Sequence, residues 1–112
     1  MNIKKLISIL LLSLSLLTFA LPSPVLAIST GSQLFNTHCA GCHINGSNII
    51  RRGKNLKKKT LQKYKMDTPE AIISIITNGK NNMSAYKDRL TPKEIEQLAA
   101  YVLQQAEKDW RN

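Results

Sequence analysis

The chain has 112 residues, of which 16 are basic and 7 are acidic, and a formal net charge of +9 at pH 7. A chain of this length is expected to form one small domain with a modest apolar core, which excludes large multidomain assemblies. The positive charge favours acidic partners or anionic surfaces. Nucleic acid is not expected among them, because the N-terminal segment predicts export.

That segment has the pattern of a secretory signal. Two lysines precede an almost wholly apolar run, residues 6–21, and Ala27 supplies the small residue of a cleavage site. A retained membrane anchor is the alternative, but the run is shorter than the roughly 20 residues that span a bilayer. We expect residues 1–27 to be removed and residues 28–112 to form the mature domain, with a net charge of +7 and no stable membrane insertion.

The mature chain has helical periodicity and no alternating pattern that would predict a strand. Thr30 and the glutamine three residues later have the spacing of a capping box, which predicts a first helix over about residues 31–38. Residues 41–54 are rich in Gly, Asn and Ser and are typical of an ordered loop. Within this loop, only Ile49 and Ile50 are expected to be buried.

Two further helices are predicted in the middle of the chain. Residues 54–65 can form a short basic helix with Leu61 and Tyr64 facing inward. Pro69 suits a first helical position and Gly79 suits a helix end, which predicts a helix from about Pro69 to Asn78 with four isoleucines around most of its circumference.

The last helix has the clearest signal. Thr91 and Glu94 have the spacing of a capping box, with Pro92 between them in the first turn. Apolar residues then recur at helical spacing: Ile95, Leu98, Ala99, Val102, Leu103 and Ala106. We therefore predict an all-α domain with about four helices.

The stretch HCAGCH, from His38 to His43, holds both cysteines and both histidines of the chain. It contains the pattern C-x-x-C-H, the attachment signal of c-type haem. Two thiols one helical turn apart can each add to one vinyl group at a porphyrin edge, and the adjoining imidazole then lies under the iron. This predicts Cys39 and Cys42 as covalent thioether links and His43 as an axial iron ligand, with His38 as a bystander.

Three other interpretations of the motif are weaker. A thioredoxin-like C-x-x-C requires a strand before it and a βαβ context. A zinc site requires four N or S ligands, and only His38 could add to the motif. A disulfide between Cys39 and Cys42 would close a loop too short to stabilise a small domain appreciably.

An electron carrier needs a second axial ligand, and no histidine lies outside the motif. The mature chain has two methionines, Met66 and Met83. Met66 precedes a helix, where a methionine is commonly core filler. Met83 lies in the polar stretch NGKNNMSAY, where an apolar sulfur needs a binding partner, so Met83 is the preferred iron ligand.

With these features in place, the chain resembles a class I cytochrome c and more narrowly the cytochrome c6 family. The resemblance runs from Thr30 to Trp110, and its most specific pieces are CAGCH, YKMDTPEAIISIITNGKNNMSAY, the RL at Arg89 and Leu90, and AAYVLQQAEKDW. It implies a class I cytochrome c fold, in which about four helices wrap around one covalently attached haem c. The implied activity is one-electron transport in the thylakoid lumen from the cytochrome b6f complex to photosystem I, without enzymatic catalysis.

The resemblance also implies roles for particular residues. The family's motif corresponds to Cys39, Cys42 and His43, and its sixth ligand falls on Met83. The crossing of the family's first and last helices corresponds to Gly31 and Phe35 meeting Tyr101.

An arginine that helps docking to photosystem I corresponds to Arg89. The neighbouring Lys80 and Lys87 are expected to join Arg89 in steering the protein onto acidic docking faces.

Two positions depart from the family pattern. Ser84 stands where the family usually has the proline that follows the ligand methionine, so the backbone there is less restrained. Ile75 stands where typical members carry a glutamine that hydrogen-bonds near the haem, while low-potential cytochrome c6-like relatives carry an apolar residue. Alternatives to the photosynthetic role are therefore a low-potential cytochrome c6-like protein, a periplasmic class I cytochrome c that donates to a terminal oxidase, and a haem peroxidase or sensor.

Overall fold

The computed structural model of the chain describes residues 1–16 and 24–111. The described residues form six α-helices: α1 (Ile3–Leu16), α2 (Pro24–His38), α3 (Ala40–His43), α4 (Lys58–Lys63), α5 (Pro69–Asn78) and α6 (Pro92–Glu107). Two short 3₁₀ turns cover Ile44–Gly46 and Arg52–Lys54. Over the same residues there is no strand, only an isolated bridge between Lys80 and Met83. The all-α prediction is confirmed.

The beginning of the chain, from Ile3 to Leu12, has exposed apolar side chains. Along α1, the large side chains from Ile3 to Leu12 are about half or more exposed. No helix in the described ranges is long and apolar enough to cross a membrane. Ala27, after which cleavage is expected, lies within α2, and the removal of residues 1–27 stays a prediction.

The first helix of the domain begins earlier than predicted. We expected it to start near Gly31 with Thr30 as its cap, but α2 begins at Pro24 and Thr30 lies inside it. Proline is favourable at a first helical position, so Pro24 can begin this helix. The expected start was therefore wrong, whereas the end at His38 is confirmed.

The caps of the other long helices agree with the sequence. The Thr68 hydroxyl accepts from the Ala71 N–H at the start of α5, and Gly79 ends this helix. At α6, Thr91 and Glu94 form both hydrogen bonds of the capping box. These bonds pair N–H groups that otherwise lack intrahelical partners.

The core lies where α2 crosses α6, with α4 and α5 packed on α6. A Cβ added to Gly31 would lie 2.5 Å from the Gln97 carbonyl oxygen and 2.8 Å from Tyr101 Cβ, so only glycine permits this approach. The buried side chains are those of Phe35, Leu61, Ile72, Ile76, Leu90, Ile95, Leu98, Ala99, Val102 and Ala106. The predicted meeting of Gly31 and Phe35 with Tyr101 is confirmed, with ring centroids of Phe35 and Tyr101 5.4 Å apart.

The two loop isoleucines that were expected to be buried lie in different surroundings. Ile49 is 58% exposed, so its expected burial was wrong, whereas Ile50 borders a large cavity. A turn lies around Asn48, whose Oδ1 accepts from the N–H groups of Ile50 and Arg51 at 3.1 and 2.7 Å. This local hydrogen bonding sets the direction of the chain and leaves Ile49 outside.

Leu61 is buried as expected, and Tyr64, which was predicted to face inward with it, borders the same cavity as Leu61. The Lys54 ammonium lies 3.2 Å from the centroid of the Tyr64 ring. This distance is typical of a cation–π contact.

Candidate haem site

A cavity of about 860 Å³ lies between the C-terminal end of α2, α4, α5 and the segment that follows α5. Its volume is within the range of sites that enclose a small organic ligand or cofactor. The site residues predicted from the sequence border it together: Cys39, Cys42, His43, Met83, Lys80 and Ile75. Apolar side chains such as Phe35, Leu98 and Val102 complete the wall.

The two cysteines lie on one helical turn. The N–H groups of Cys42 and His43 both donate to the Cys39 carbonyl, at 3.2 and 2.9 Å. Neither cysteine forms a disulfide, so both thiols are available for attachment. Burial raises the pKa of the Cys39 thiol to about 11, which keeps it protonated at neutral pH. A redox-active thiol needs the opposite shift, so this environment disfavours the thioredoxin-like interpretation.

A single hydrogen bond orients the His43 ring. Its Nδ1 lies 2.8 Å from the Ser47 carbonyl oxygen. A carbonyl can only accept, so Nδ1 carries the proton and Nε2 keeps the lone pair that a metal requires. Such a second hydrogen bond is typical of metal-binding histidines.

Sequence reasoning did not find Ser47. Its only signal is the tight turn after the motif, in which Asn45 and Gly46 both have positive φ angles. The turn is closed by the Ser47 N–H and hydroxyl, which donate to the Ile44 carbonyl at 2.9 and 2.6 Å. The turn thereby fixes the carbonyl that holds His43.

Trp110, from the far end of the chain, supports the same turn. Its indole N–H donates to the Leu56 carbonyl at 2.9 Å, and its ring lies 4.9 Å from that of Phe35. A Cβ on Gly46 would overlap the indole ring. Because the turn packs this closely on Trp110, this tryptophan contributes to the position of the His43 segment.

Met83 lies half-buried in the segment after α5. Lys80 and Met83 exchange both backbone hydrogen bonds, each 3.0 Å long. Gly79 adopts φ 68° and ψ 175°, a conformation open essentially only to glycine. A Cβ there would lie 2.5 Å from the Met83 carbonyl oxygen.

Met66 borders the same cavity and is half-buried as well. Its N–H donates to the Leu61 carbonyl at 2.8 Å, which ties it to the end of α4. Both methionines pack against the core, so location alone does not choose between them. The preference for Met83 stays a prediction.

The docking cations and His38 occupy different surroundings. Lys80, Lys87 and Arg89 are exposed, and the Arg89 guanidinium lies 4.1 Å from the centroid of the Tyr86 ring. The His38 ring borders the cavity and meets the Tyr86 ring edge-on at 6.0 Å. Tyr86, which the sequence did not single out, therefore touches both the motif and the docking arginine.

The donor set fits covalent haem. Two unpaired thiols on one turn, an imidazole with its Nε2 available and a thioether border a single apolar-walled cavity. In the parts of the chain that the structure describes, no three or more His, Cys, Asp and Glu side chains converge as ligands of another metal site. The fold and this site define a class I c-type cytochrome.

Comparisons with known proteins narrow the class. The family model described as "Cytochrome C oxidase, cbb3-type, subunit III" matches residues 26–102. A cytochrome c6-like protein of Nostoc sp. (strain PCC 7120) is 62% identical over 110 residues, covering 96% of this chain and 99% of that protein. Cytochrome c6 of the same organism is 49% identical over the same shares of the two chains.

Solved structures of cytochromes of the c6 type are also similar to this chain. Cytochrome c6C from Synechococcus sp. PCC 7002 superposes with a TM-score of 0.71 at 54% identity, covering 72% of this chain and 99% of that one. Cytochrome c6A from Arabidopsis thaliana superposes with a TM-score of 0.72 at 34% identity, covering 78% of this chain and 97% of that one.

The chain belongs to the cytochrome c6 family. It is an electron carrier with one covalently attached haem c and is not an enzyme. The family model carries the name of an oxidase subunit, but the near full-length relatives are named cytochrome c6-like and cytochrome c6, so the terminal-oxidase alternative is not favoured.

Proposed function

We propose that this chain, after removal of residues 1–27, carries single electrons in the thylakoid lumen from the cytochrome b6f complex to photosystem I. Membership of the cytochrome c6 family supports this role. The observation that carries the proposal is that both motif thiols, His43 and Met83 border one apolar-walled cavity. Such a site suits a carrier that keeps its iron fully ligated and exchanges electrons at an edge.

Each site residue then has a defined task. Cys39 and Cys42 would form the two thioether bonds to haem c, and His43 Nε2 and Met83 Sδ would bind its iron. When bound, haem c supplies an iron that accepts and releases one electron. The Ser47 carbonyl keeps His43 in the tautomer that can bind metal.

Docking is assigned to three exposed cations beside the Met83 segment: Lys80, Lys87 and Arg89. The described chain carries a large excess of positive charge, and complementary charge raises association rates with acidic faces. Since Lys80 borders the cavity itself, a partner drawn to these cations would lie close to the haem edge.

The partner is tested with haem-loaded mature protein mixed with isolated photosystem I. After a flash oxidises the photosystem, its re-reduction should accelerate in proportion to the concentration of the reduced carrier. A parallel assay measures oxygen uptake by a terminal oxidase supplied with the same protein. Rapid oxidase turnover with no effect on photosystem I would overturn the proposed role.

The axial ligand is tested with a matched pair of variants. Met83→Ala should abolish the long-wavelength absorption band of methionine-ligated ferric haem and let the reduced protein bind carbon monoxide at neutral pH. Met66→Ala removes a methionine from the same cavity and should keep the band. The reverse pattern would assign the ligand to Met66.

A further inference from the structure

The segment that carries Met83 is held by backbone hydrogen bonds upstream of Met83 but not immediately downstream of it. Upstream, Met83 is bonded to Lys80 in both directions and packs on Gly79. Immediately downstream, Ser84 and Ala85 are exposed and adopt no regular structure. Their backbone N–H groups donate to no other backbone group in the described chain. Serine also leaves φ unrestrained where a proline would fix it.

Tyr86, which follows Ser84 and Ala85, provides a restraint downstream of them. Its hydroxyl donates to the His38 carbonyl oxygen at 2.9 Å, a bond that joins residues 48 positions apart. His38 is the last residue of α2 and directly precedes the attachment cysteine Cys39. Carbonyls at a helix end lack intrahelical partners, so this oxygen is a natural acceptor. The bond links the methionine segment to the haem-attachment motif.

The backbone of Tyr86 is anchored independently of its hydroxyl. Its N–H donates to the Ile76 carbonyl at 2.9 Å, and its carbonyl accepts from the N–H groups of Arg89 and Leu90, each at 2.9 Å. Removing the hydroxyl should therefore leave the local fold in place. What would be lost is the link between the two walls of the cavity.

We propose that the Tyr86 hydroxyl is a positioning group that holds the Met83 segment against the haem-attachment motif, in the place of the backbone restraint that Ser84 does not provide. This inference rests on Met83 being the axial ligand, as proposed above. The hydroxyl touches neither iron nor substrate and acts only through the segment that carries Met83.

Imidazole added to the ferric protein measures this restraint. Imidazole can bind the iron only in molecules whose methionine has left, so its apparent affinity is scaled by the population of that open state. A hydrogen bond of this kind has a modest net effect, and its loss should raise the open population about fivefold. Tyr86→Phe should therefore tighten imidazole binding about fivefold.

Two variants serve as a control and a rescue. Tyr101→Phe removes the hydroxyl of a tyrosine at the crossing of α2 and α6 and should leave imidazole binding within twofold of the parent. Ser84→Pro restrains the segment by its backbone and should weaken imidazole binding about twofold to fivefold. The double variant Ser84→Pro/Tyr86→Phe should bind imidazole with an affinity close to that of the parent.

Hydrogen exchange separates local from general loosening. In Tyr86→Phe, the Lys80 and Met83 amides, which bond to each other's carbonyls, should exchange about fivefold faster. The amide of Leu98, in the middle of α6 and fully buried, should be unaffected. Equal acceleration at Leu98 would mean a general loss of stability and would overturn the positioning role.

The failures of the two proposals are distinguishable. If the parent binds imidazole as tightly as Met83→Ala does, Met83 is not the ligand and the proposed ligation fails. If Met83→Ala binds much more tightly but Tyr86→Phe matches the parent, the ligation stands and the hydroxyl link is refuted. Failure of Ser84→Pro to offset Tyr86→Phe would also contradict the link as a restraint on this segment.

Discussion

The two walls of the haem cavity are built in different ways. On the motif wall, the hydrogen bonds that orient Cys39, Cys42 and His43 run between residues three or four positions apart. On the methionine wall, Tyr86 reaches back to His38 across 48 positions. The hydrogen bonds of the first wall therefore lie within a short stretch of sequence, although Trp110 supports its turn from a distance. The second wall also depends on a hydrogen bond across the folded chain.

This difference has a consequence for robustness. Covalent attachment needs only two thiols and an imidazole at fixed spacing, so a local change elsewhere should leave it intact. Ligation by the methionine needs Gly79, the Lys80 bridge and Tyr86 to act together. We expect variants on the motif wall to give all-or-none effects and variants on the methionine wall to give graded ones.

The largest effect should come from the motif cysteines. The double variant Cys39→Ser/Cys42→Ser should lose covalent haem completely, because serine hydroxyls do not form the thioethers. Haem staining after denaturing electrophoresis measures this directly. His38→Ala changes the same six-residue stretch but should keep the stain at the parent intensity. Loss of attachment in His38→Ala would show that this histidine is more than a bystander.

On the methionine wall, Gly79→Ala should be strongly destabilising. Its φ of 68° and ψ of 175° cost a side-chain-bearing residue roughly 1–3 kcal/mol, and the added Cβ would crowd the Met83 carbonyl and the Ala85 nitrogen. We expect the free energy of unfolding, measured with denaturant, to fall by at least this amount. The long-wavelength absorption band of methionine-ligated ferric haem should also weaken.

Gly53→Ala is the matched control for this variant. A Cβ at Gly53 meets nothing within 4 Å, so stability should change by less than about 0.5 kcal/mol. Equal losses at Gly79 and Gly53 would contradict a special requirement at the methionine wall.

The same contrast explains how far the sequence could be interpreted. The haem motif, the caps of α5 and α6 and the all-α class follow from short-range patterns, and the fold and its cofactor agree with them. The resemblance to a family supplied the meeting of Gly31 with Tyr101, which no local pattern contains. The roles of Met83 and the docking cations remain predictions.

Sequence patterns failed where a local polar group competed with burial. Asn48 turned the chain and left Ile49 exposed. The start of α2 was placed too late because residues 1–27 were assigned to the signal segment and Thr30 was taken as the cap. The sequence did not single out Ser47, because its backbone carbonyl is common to every residue. It did not single out Tyr86 either, because a hydroxyl that bonds to a residue far away in the sequence forms no recognisable motif.

Within the cavity, Ile75→Gln should shift the midpoint potential upward. Ile75 borders the cavity, and the resemblance to the family implies a hydrogen-bonding glutamine at this position. A shift of a few tens of millivolts is expected, since 59 mV corresponds to a tenfold change for one electron. Ile73→Gln is the control, because Ile73 packs against the core but does not border the cavity. Equal shifts in both variants would assign the effect to general destabilisation.

The smallest effect should come from the surface of the methionine wall. Arg89 is exposed and lies over the Tyr86 ring, beside the segment that carries Met83. Arg89→Gln should slow association with photosystem I about twofold to threefold at low salt, because steering by a single exposed charge is weak. Lys58→Gln removes the same charge from α4, where Lys58 pairs with Glu107 at 2.7 Å, and should have less effect. Screening at high ionic strength should bring both variants to the parent rate. If the two variants slowed association equally, net charge would be the cause, and the methionine wall would have no preferred docking face.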